Sequence, residues 1–487
     1  MMRLVFCTAL ILHLATAAQG QATKNHPYQF KVTGVKDTVI YLANYYGERL
    51  YYADTARADK AGNFSFKRVP KDREGKFAVV LPGPKYFELI IADGEDIRME
   101  SDTTDLVELM KVVKSDNNKV MYDYVRFLAV RKLEREKLLK ELEENEGKPE
   151  VTARIKMRYN ELNDEVVGYQ HNLIATRPGL FAVKEIKMSM DIEPPAEIRD
   201  DRDKAYYYYK HHYWDNVDFG DDRIVRTPIF HNKLVNYLNK TVIQDPDTII
   251  ATFRTRLATK LPKGSEVYKY TVHYTTYNFE TSKIMGMDKV FVYMVDTYYT
   301  AGDAFWMDED KIKTIRDKAN GKRFTLIGMR APELILADTS GKWISSHRDI
   351  RNRYTLLYFY DPDCGHCKKE TPKLVEMYNS YKGDLGVYAV SADNDTKWNK
   401  FVRDNKMNFY NVSIPAEAYR DAETATALIT SGKTTYQSLK YNETFDVYTT
   451  PKVFLLDKDK IIRAKDIAVE QIPEIIKRLD ELAPPKQ

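Results

Sequence analysis

The chain has 487 residues, 43% hydrophobic and 30% charged. That is enough apolar content for several cores, and at about 150 residues per domain the length fits about three domains. The formal net charge is only +4, with acids and bases interspersed, which argues against the single-sign patch of a nucleic-acid-binding protein. After the N-terminus no stretch approaches the ~20 apolar residues of a transmembrane helix, so no stable membrane span is expected.

Residues 1–20 read as a cleavable signal peptide. Arg3 gives the positive start, 4–14 is apolar apart from His13, and Ala15, Ala17, Ala18 and Gly20 offer small-residue cleavage sites. Cys7 lies inside the apolar stretch, behind Phe6 and too near the start to be a lipoprotein cysteine. The chain has three cysteines, and cleavage leaves Cys364 and Cys367. An exported protein with no other cysteine, but one Cys-x-x-Cys, keeps that pair for chemistry rather than as a structural staple.

Residues 29–100 contain short runs of β-branched and aromatic residues separated by turns such as Lys60-Ala61-Gly62-Asn63 and Pro82-Gly83-Pro84. An antiparallel β-sandwich is expected over 21–103, serving either docking or spacing. A mainly helical middle domain is expected over 104–322. Within 119–174, Val151, Ile155, Tyr159, Leu162, Val166, Tyr169 and Leu173 form one apolar stripe. Gly147-Lys148-Pro149 breaks it from the preceding helix, which predicts a helical hairpin. The mixed charges of 132–146 read as a solvated face. The run Tyr206–Tyr209, His211, His212, Tyr213, Trp214 fits aromatic packing better than a ligand surface. Adjacent histidines diverge on a helix, so His211, His212 and Asp215 are not expected to share a metal ion, and no metal site is assigned.

The last segment, 323–487, carries the chemistry. Leu356, Leu357, Tyr358, Phe359 and Tyr360 form an apolar run suited to a buried strand. Asp361-Pro362-Asp363 ends it, and Cys364-Gly365-His366-Cys367 follows at the start of a helical pattern. Backbone N–H groups and the helix dipole at that position favour a thiolate on Cys364. Cys367 is one turn deeper. A protonated His366 would add positive charge beside the sulfur. Beyond the pair, 387–390 reads as a strand, 395–405 as a helix, 416–441 as a helical insertion, 460–467 as a last strand and 472–482 as a closing helix.

These residues resemble the active site of the thioredoxin superfamily. More narrowly they resemble its extracytoplasmic thiol–disulfide interchange proteins of haem and cytochrome maturation. Gly328, Ala331, Pro332, Glu333, Leu334, Leu336, Asp338 and Gly341 match the opening hairpin of that branch, and Glu370 and Pro372 match its helical acid and proline. Thr449, Thr450, Pro451 and the run 453–456 match its cis-proline loop and following strand. The likeness spans about 324–482. The preceding β and helical segments are similar to the accessory domains of Gram-negative envelope proteins of the same architecture. Two positions depart from thioredoxin: Tyr358 stands where it has a buried aspartate, and Asp363 where it has a tryptophan.

The resemblance implies a multidomain protein whose C-terminal domain is an α/β thioredoxin-like fold. It implies a periplasmic thiol–disulfide oxidoreductase that needs no cofactor. Cys364 would attack, Cys367 would resolve, and Thr450 and Pro451 would pair with the substrate chain beside the sulfurs. Glu370 shares the Cys367 face of the helix, placed to exchange a proton with Cys367 and to replace the missing aspartate. Partners would be protein or peptide disulfides or dithiols, with an upstream thiol as electron donor. The flanking motifs favour reduction. Gly365-His366, the pair of disulfide isomerases, keeps oxidase or isomerase activity open, and a non-catalytic binding module is a further alternative. Two cysteines and one histidine leave a zinc ion short of its usual ligands.

Overall fold

A computed structural model of the chain describes residues 27–83, 85–381 and 383–482. The signal-peptide segment 1–20, Cys7 and Pro84 of the Pro82-Gly83-Pro84 turn lie outside the described residues. The described residues fall into two compact units divided after Tyr237.

The first unit opens with eight strands: β1 (Tyr28–Thr33), β2 (Val39–Tyr46), β3 (Arg49–Arg57), β4 (Asn63–Phe66), β5 (Gly75–Val80), β6 (Tyr86–Ile91), β7 (Ile97–Asp102) and β8 (Lys111–Lys114). They form two four-stranded sheets, in the orders β4-β1-β7-β8 and β3-β2-β5-β6. β1 alternates buried and exposed residues, the pattern of a sheet with one wet face. Phe30 of β1 meets Phe87 of β6 at 5.9 Å between ring centroids, so the aromatic inner faces build the core. Two features differ from the expected antiparallel sandwich over 21–103. β1 pairs with β7 in parallel, which the long connection through the other sheet permits. β8 extends the sheet past residue 103 into the stretch read as helical.

Two long helices follow, α1 (Asp116–Glu144) and α2 (Pro149–Thr176), with the break where Gly147-Lys148-Pro149 places it. The Ser115 side chain caps α1 by accepting from the Asn118 N–H. Phe127 and Tyr169 stack across the hairpin at 4.2 Å. In the aromatic run, Tyr213 and Trp214 are buried and pack on Tyr237, as core residues do. His212 Nδ1 lies 2.6 Å from Asp215, and no group of three or more metal-ligating side chains converges among the described residues.

The second unit contains α3 (Glu266–Glu280), α4 (Asp288–Tyr298) and α5 (Glu309–Arg323), then a mixed α/β domain. Its strands are β9 (Ile335–Asp338), β10 (Trp343–Ser345), β11 (Tyr354–Tyr360), β12 (Leu385–Ser391), β13 (Tyr410–Ser413), β14 (Lys452–Leu456) and β15 (Ile462–Lys465). They form one sheet in the order β10-β9-β13-β12-β11-β14-β15. Its helices include α6 (Gly365–Ser380), α7 (Thr396–Asp404) and α8 (Ile472–Leu482), and the insertion at 416–441 is a chain of short helices.

β11 is central, parallel to β12 and antiparallel to β14, and all seven of its residues are buried. That explains its unbroken apolar run, since both faces of the strand are covered. Tyr354, Leu356, Tyr358 and Tyr360 face one core with Cys367 and Leu374 of α6, Trp398 of α7 and Ile476 of α8. Leu357 and Phe359 face the other core, with Tyr441 at the end of the insertion and Phe445 just after it. The helices before the domain are tied into it. Lys465 of β15 is buried, pairs with Asp288 of α4 and donates to the Thr325 carbonyl at 2.9 Å. Among the described residues no helix is long and apolar enough to cross a membrane.

Candidate active site

β11 delivers the chain to the site, and Asp361-Pro362-Asp363 turns it into α6. The Asp363 N–H donates to its neighbour's Asp361 Oδ1 at 2.7 Å, an Asx turn that fixes the entry to the helix. Cys364 is the residue before the first helical one, with extended backbone, and its carbonyl accepts from the Lys368 N–H at 3.1 Å. No side chain caps this end of α6. The orphan N–H groups of the first turn are therefore directed at the Cys364 sulfur. Cys367, Thr371 and Leu374 are the buried residues of α6, at the three- and four-residue spacing of one helix face. Pro372 sits inside the helix and removes the bond to the Lys368 carbonyl.

Both cysteines are free thiols in unlike surroundings. Cys364 is half-buried, and its thiol donates to the Thr450 carbonyl at 3.3 Å. Partial burial opposes its ionisation. Hydrogen bonds from the Cys367 main chain, the Thr450 side chain, the Cys367 thiol and the His366 main chain outweigh that and hold Cys364 below the ordinary thiol value. Cys367 is 0% exposed. Burial pushes its thiol up to about 11 despite the Asp361 N–H, which donates to its sulfur at 3.5 Å. A thiolate-prone thiol at the surface above a protonated one is the contrast that an attacking and a resolving thiol need.

The other residues singled out from the sequence fall around this pair. The Thr450–Pro451 peptide bond is cis, and Thr450 reaches the Cys364 sulfur from 86 residues away in sequence. The His366 side chain is exposed, so its main-chain N–H is the part that reaches Cys364. Glu370 is half-buried, its carboxylate 22% exposed, and accepts from Lys373 Nζ at 2.8 Å. Lys373 in turn pairs with Glu470.

Three groups were not singled out as site residues. Thr371 bonds Tyr358 through their hydroxyls at 3.0 Å, beneath Cys367; its position four residues after Cys367 was the available signal. Trp398 donates to the Tyr360 hydroxyl at 3.0 Å, and Tyr360 stacks on Tyr358 at 5.6 Å. Lys397 pairs with Asp363 at 2.8 Å on the rim of the site, a contact between segments 34 residues apart that no local pattern announces.

Residues 327–465 match the AhpC/TSA family, and residues 134–320 match DUF5106, a domain of unknown function. The chain is 27% identical over 156 residues to the thiol-disulfide oxidoreductase ResA of Bacillus thuringiensis subsp. konkukian, covering 31% of this chain and 78% of that protein. It is 27% identical over 144 residues to ResA of Bacillus subtilis, covering 29% and 69%. Among solved structures it is similar to a domain of a possible thiol-disulfide isomerase from Cytophaga hutchinsonii, at 31% identity, with 32% of this chain and 94% of that one covered and a TM-score of 0.26. A thioredoxin-like protein from Bacteroides caccae aligns at 18% identity over 59% of this chain and 98% of its own, with a TM-score of 0.44. With the Cys-x-x-Cys helix start and the central buried strand, the AhpC/TSA match and the likeness to the ResA proteins make the chain a thiol–disulfide oxidoreductase with a thioredoxin-like C-terminal domain, preceded by a helical region that matches DUF5106.

Proposed function

We propose that the protein is exported to the periplasm and reduces disulfides of protein or peptide partners through Cys364-Gly365-His366-Cys367. The observation that carries this reading is the contrast between the two thiols, one partly exposed and held down, the other fully buried and pushed up to about 11. Cys364 attacks a partner disulfide as thiolate, forming a mixed disulfide and releasing one partner sulfur. Cys367 then attacks Cys364, the enzyme disulfide closes, and the second partner sulfur leaves as thiolate. An upstream thiol donor restores the dithiol, so the cycle needs no cofactor. Thr450 meets the Cys364 sulfur and Pro451 follows it through the cis bond, and an extended substrate segment would lie along them. Glu370 takes the Cys367 proton as the mixed disulfide resolves, supported by its place on the next turn of the same helix. His366 supplies its main-chain N–H to the thiolate and, when protonated, positive charge. The signal-peptide pattern of 1–20 supports export, and the flanking motifs shared with the reducing branch support the direction.

The decisive experiment is trapping in the native host. A Cys367→Ser variant is expected to accumulate disulfide-linked partners through Cys364, and Cys364→Ser is not. Trapping only by Cys364→Ser would reverse the assignment. The Gly365-His366 pair favours a second reading, as an oxidase or isomerase. A Cys364–Cys367 potential well above that of the glutathione buffer used to measure it would select it over reduction.

A further inference from the structure

The core beneath Cys367 holds two hydroxyls that packing does not require. Tyr358 and Thr371 are both 0% exposed and sit between β11 and α6 in an otherwise largely apolar core. A Phe–Val pair of about the same shape would fill the space without desolvating two polar groups. Each hydroxyl carries one hydrogen to donate. Their mutual bond at 3.0 Å uses one, in either direction. Among the described residues, neither hydroxyl meets another acceptor. Tyr358 lies in the same core cluster as Cys367, and Thr371 shares the helix face of Cys367, four residues on. The titratable groups facing the Tyr358 hydroxyl are Cys367 and Glu370 from α6 and Tyr360 from its own strand. None is a cation, and the Cys367 sulfur itself faces the Asp361 N–H, the Thr450 side chain and the Cys364 thiol, so a thiolate forming there has no positive partner.

We propose that Tyr358 and Thr371 are positioning residues for the resolving step, their spare hydroxyl hydrogen turning to the Cys367 sulfur as it ionises. The proposal rests on Cys367 being the resolving thiol. In that step the Cys364–Cys367 bond forms and the bond from Cys364 to the partner sulfur breaks. The electron pair leaves with the partner as thiolate. The Cys367 proton passes to Glu370, and the hydroxyl pair donates a hydrogen bond but no proton.

The test follows the full-length reduced protein mixed with equimolar dithiobis(nitrobenzoate). Attack by Cys364 releases one thionitrobenzoate in a concentration-dependent phase. Attack by Cys367 releases the second in a concentration-independent phase, and the upper limb of that phase's pH profile reads the Cys367 thiol. In Tyr358→Phe and in Thr371→Val the midpoint is expected to move up by about one pH unit, which, after the greater nucleophilicity of the more basic thiolate, makes the second phase about threefold slower at neutral pH. Thr371→Ser, which keeps the hydroxyl, is expected to stay near the parent. A parental pH profile in both Tyr358→Phe and Thr371→Val, with Cys367→Ser releasing only one equivalent, overturns the hydroxyl role and leaves the resolving thiol in place. Release of the second equivalent by Cys367→Ser at the parental rate overturns both.

Discussion

Alkylation of the reduced protein is expected to separate the two thiols by at least about tenfold at neutral pH. Cys367 is pushed up to about 11, and Cys364 is held below the ordinary value of 9.0. At neutral pH a thiol at 11 is ionised in ~1 molecule in 10,000, and one at 9.0 in ~1 in 100. Population alone therefore favours Cys364 by at least ~100-fold. The more basic thiolate is the stronger nucleophile, and a Brønsted slope of about 0.5 returns about tenfold of that advantage over the interval. About tenfold remains from ionisation. Access widens it, because Cys367 is 0% exposed and Cys364 is not. The pH dependence carries the same sign. Labelling of Cys364 should level off at lower pH than for a free thiol, while labelling of Cys367 should keep rising until about 11. The assay is a limiting dose of iodoacetamide on the reduced chain across a pH series, with peptide mass mapping of each cysteine and single-cysteine variants as references. Equal labelling at neutral pH, or a Cys364 profile centred above that of a free thiol, would refute the reasoning.

Two further outcomes test other parts of the molecule. Glu370→Gln should slow disulfide exchange by about tenfold or more and alter the pH profile of the resolving phase, leaving the fold intact; unchanged kinetics would reduce Glu370 to the surface partner of Lys373. Asp221, in the first unit, is desolvated, but hydrogen bonds from Arg223 and Lys184 overcome that and lower it to about 2 from 3.8. A depressed carboxylate contributes stability that is present above 3.8 and lost as pH falls through about 2. Asp221→Asn should therefore cost about 2 kcal/mol near neutrality in denaturant titration, and the difference from the parent should shrink in that acid window.

Legibility of this chain follows the distance over which each feature is encoded. The strand, the Asx turn, the cysteine pair and the helix all lie within about two dozen residues, and each is fixed by its neighbours: apolar run, breaker, helix start. The α1–α2 hairpin was readable for the same reason, since a stripe at helical spacing and a Gly-Lys-Pro break are local. The missed strands have little local signal. β13 is the four residues Tyr-Asn-Val-Ser, and β8 is Lys-Val-Val-Lys. Such strands form because a partner edge is present, not because their own sequence demands it. The parallel β1–β7 pairing is likewise a property of the closed sheet rather than of either strand.

The same distinction explains the site. What favours a thiolate on Cys364 is mostly the start of its own helix, so the motif alone exposes it. What surrounds it comes from afar: Thr450 by 86 residues, Lys397 to Asp363 by 34, Glu470 to Lys373 by 97. Thr450 was reached only through resemblance to a family, and the two rim ion pairs were not reached at all. Cys367 is the intermediate case. Its burial follows from a local rule, since residues 367, 371 and 374 share one helix face, once the sheet is known to cover that face. The sheet also decides what lies beneath it. Tyr358 is read from the sequence only as a departure from thioredoxin's aspartate. Its bond to Thr371 places a polar but uncharged group in the core at that position. A buried carboxylate can take a proton from the resolving thiol; a neutral phenol cannot serve as that acceptor, but can hydrogen-bond a thiolate. Under the mechanism proposed above the two roles separate, the acceptor falling to Glu370 at the half-buried edge of the helix and the hydrogen bond to Tyr358 on the strand.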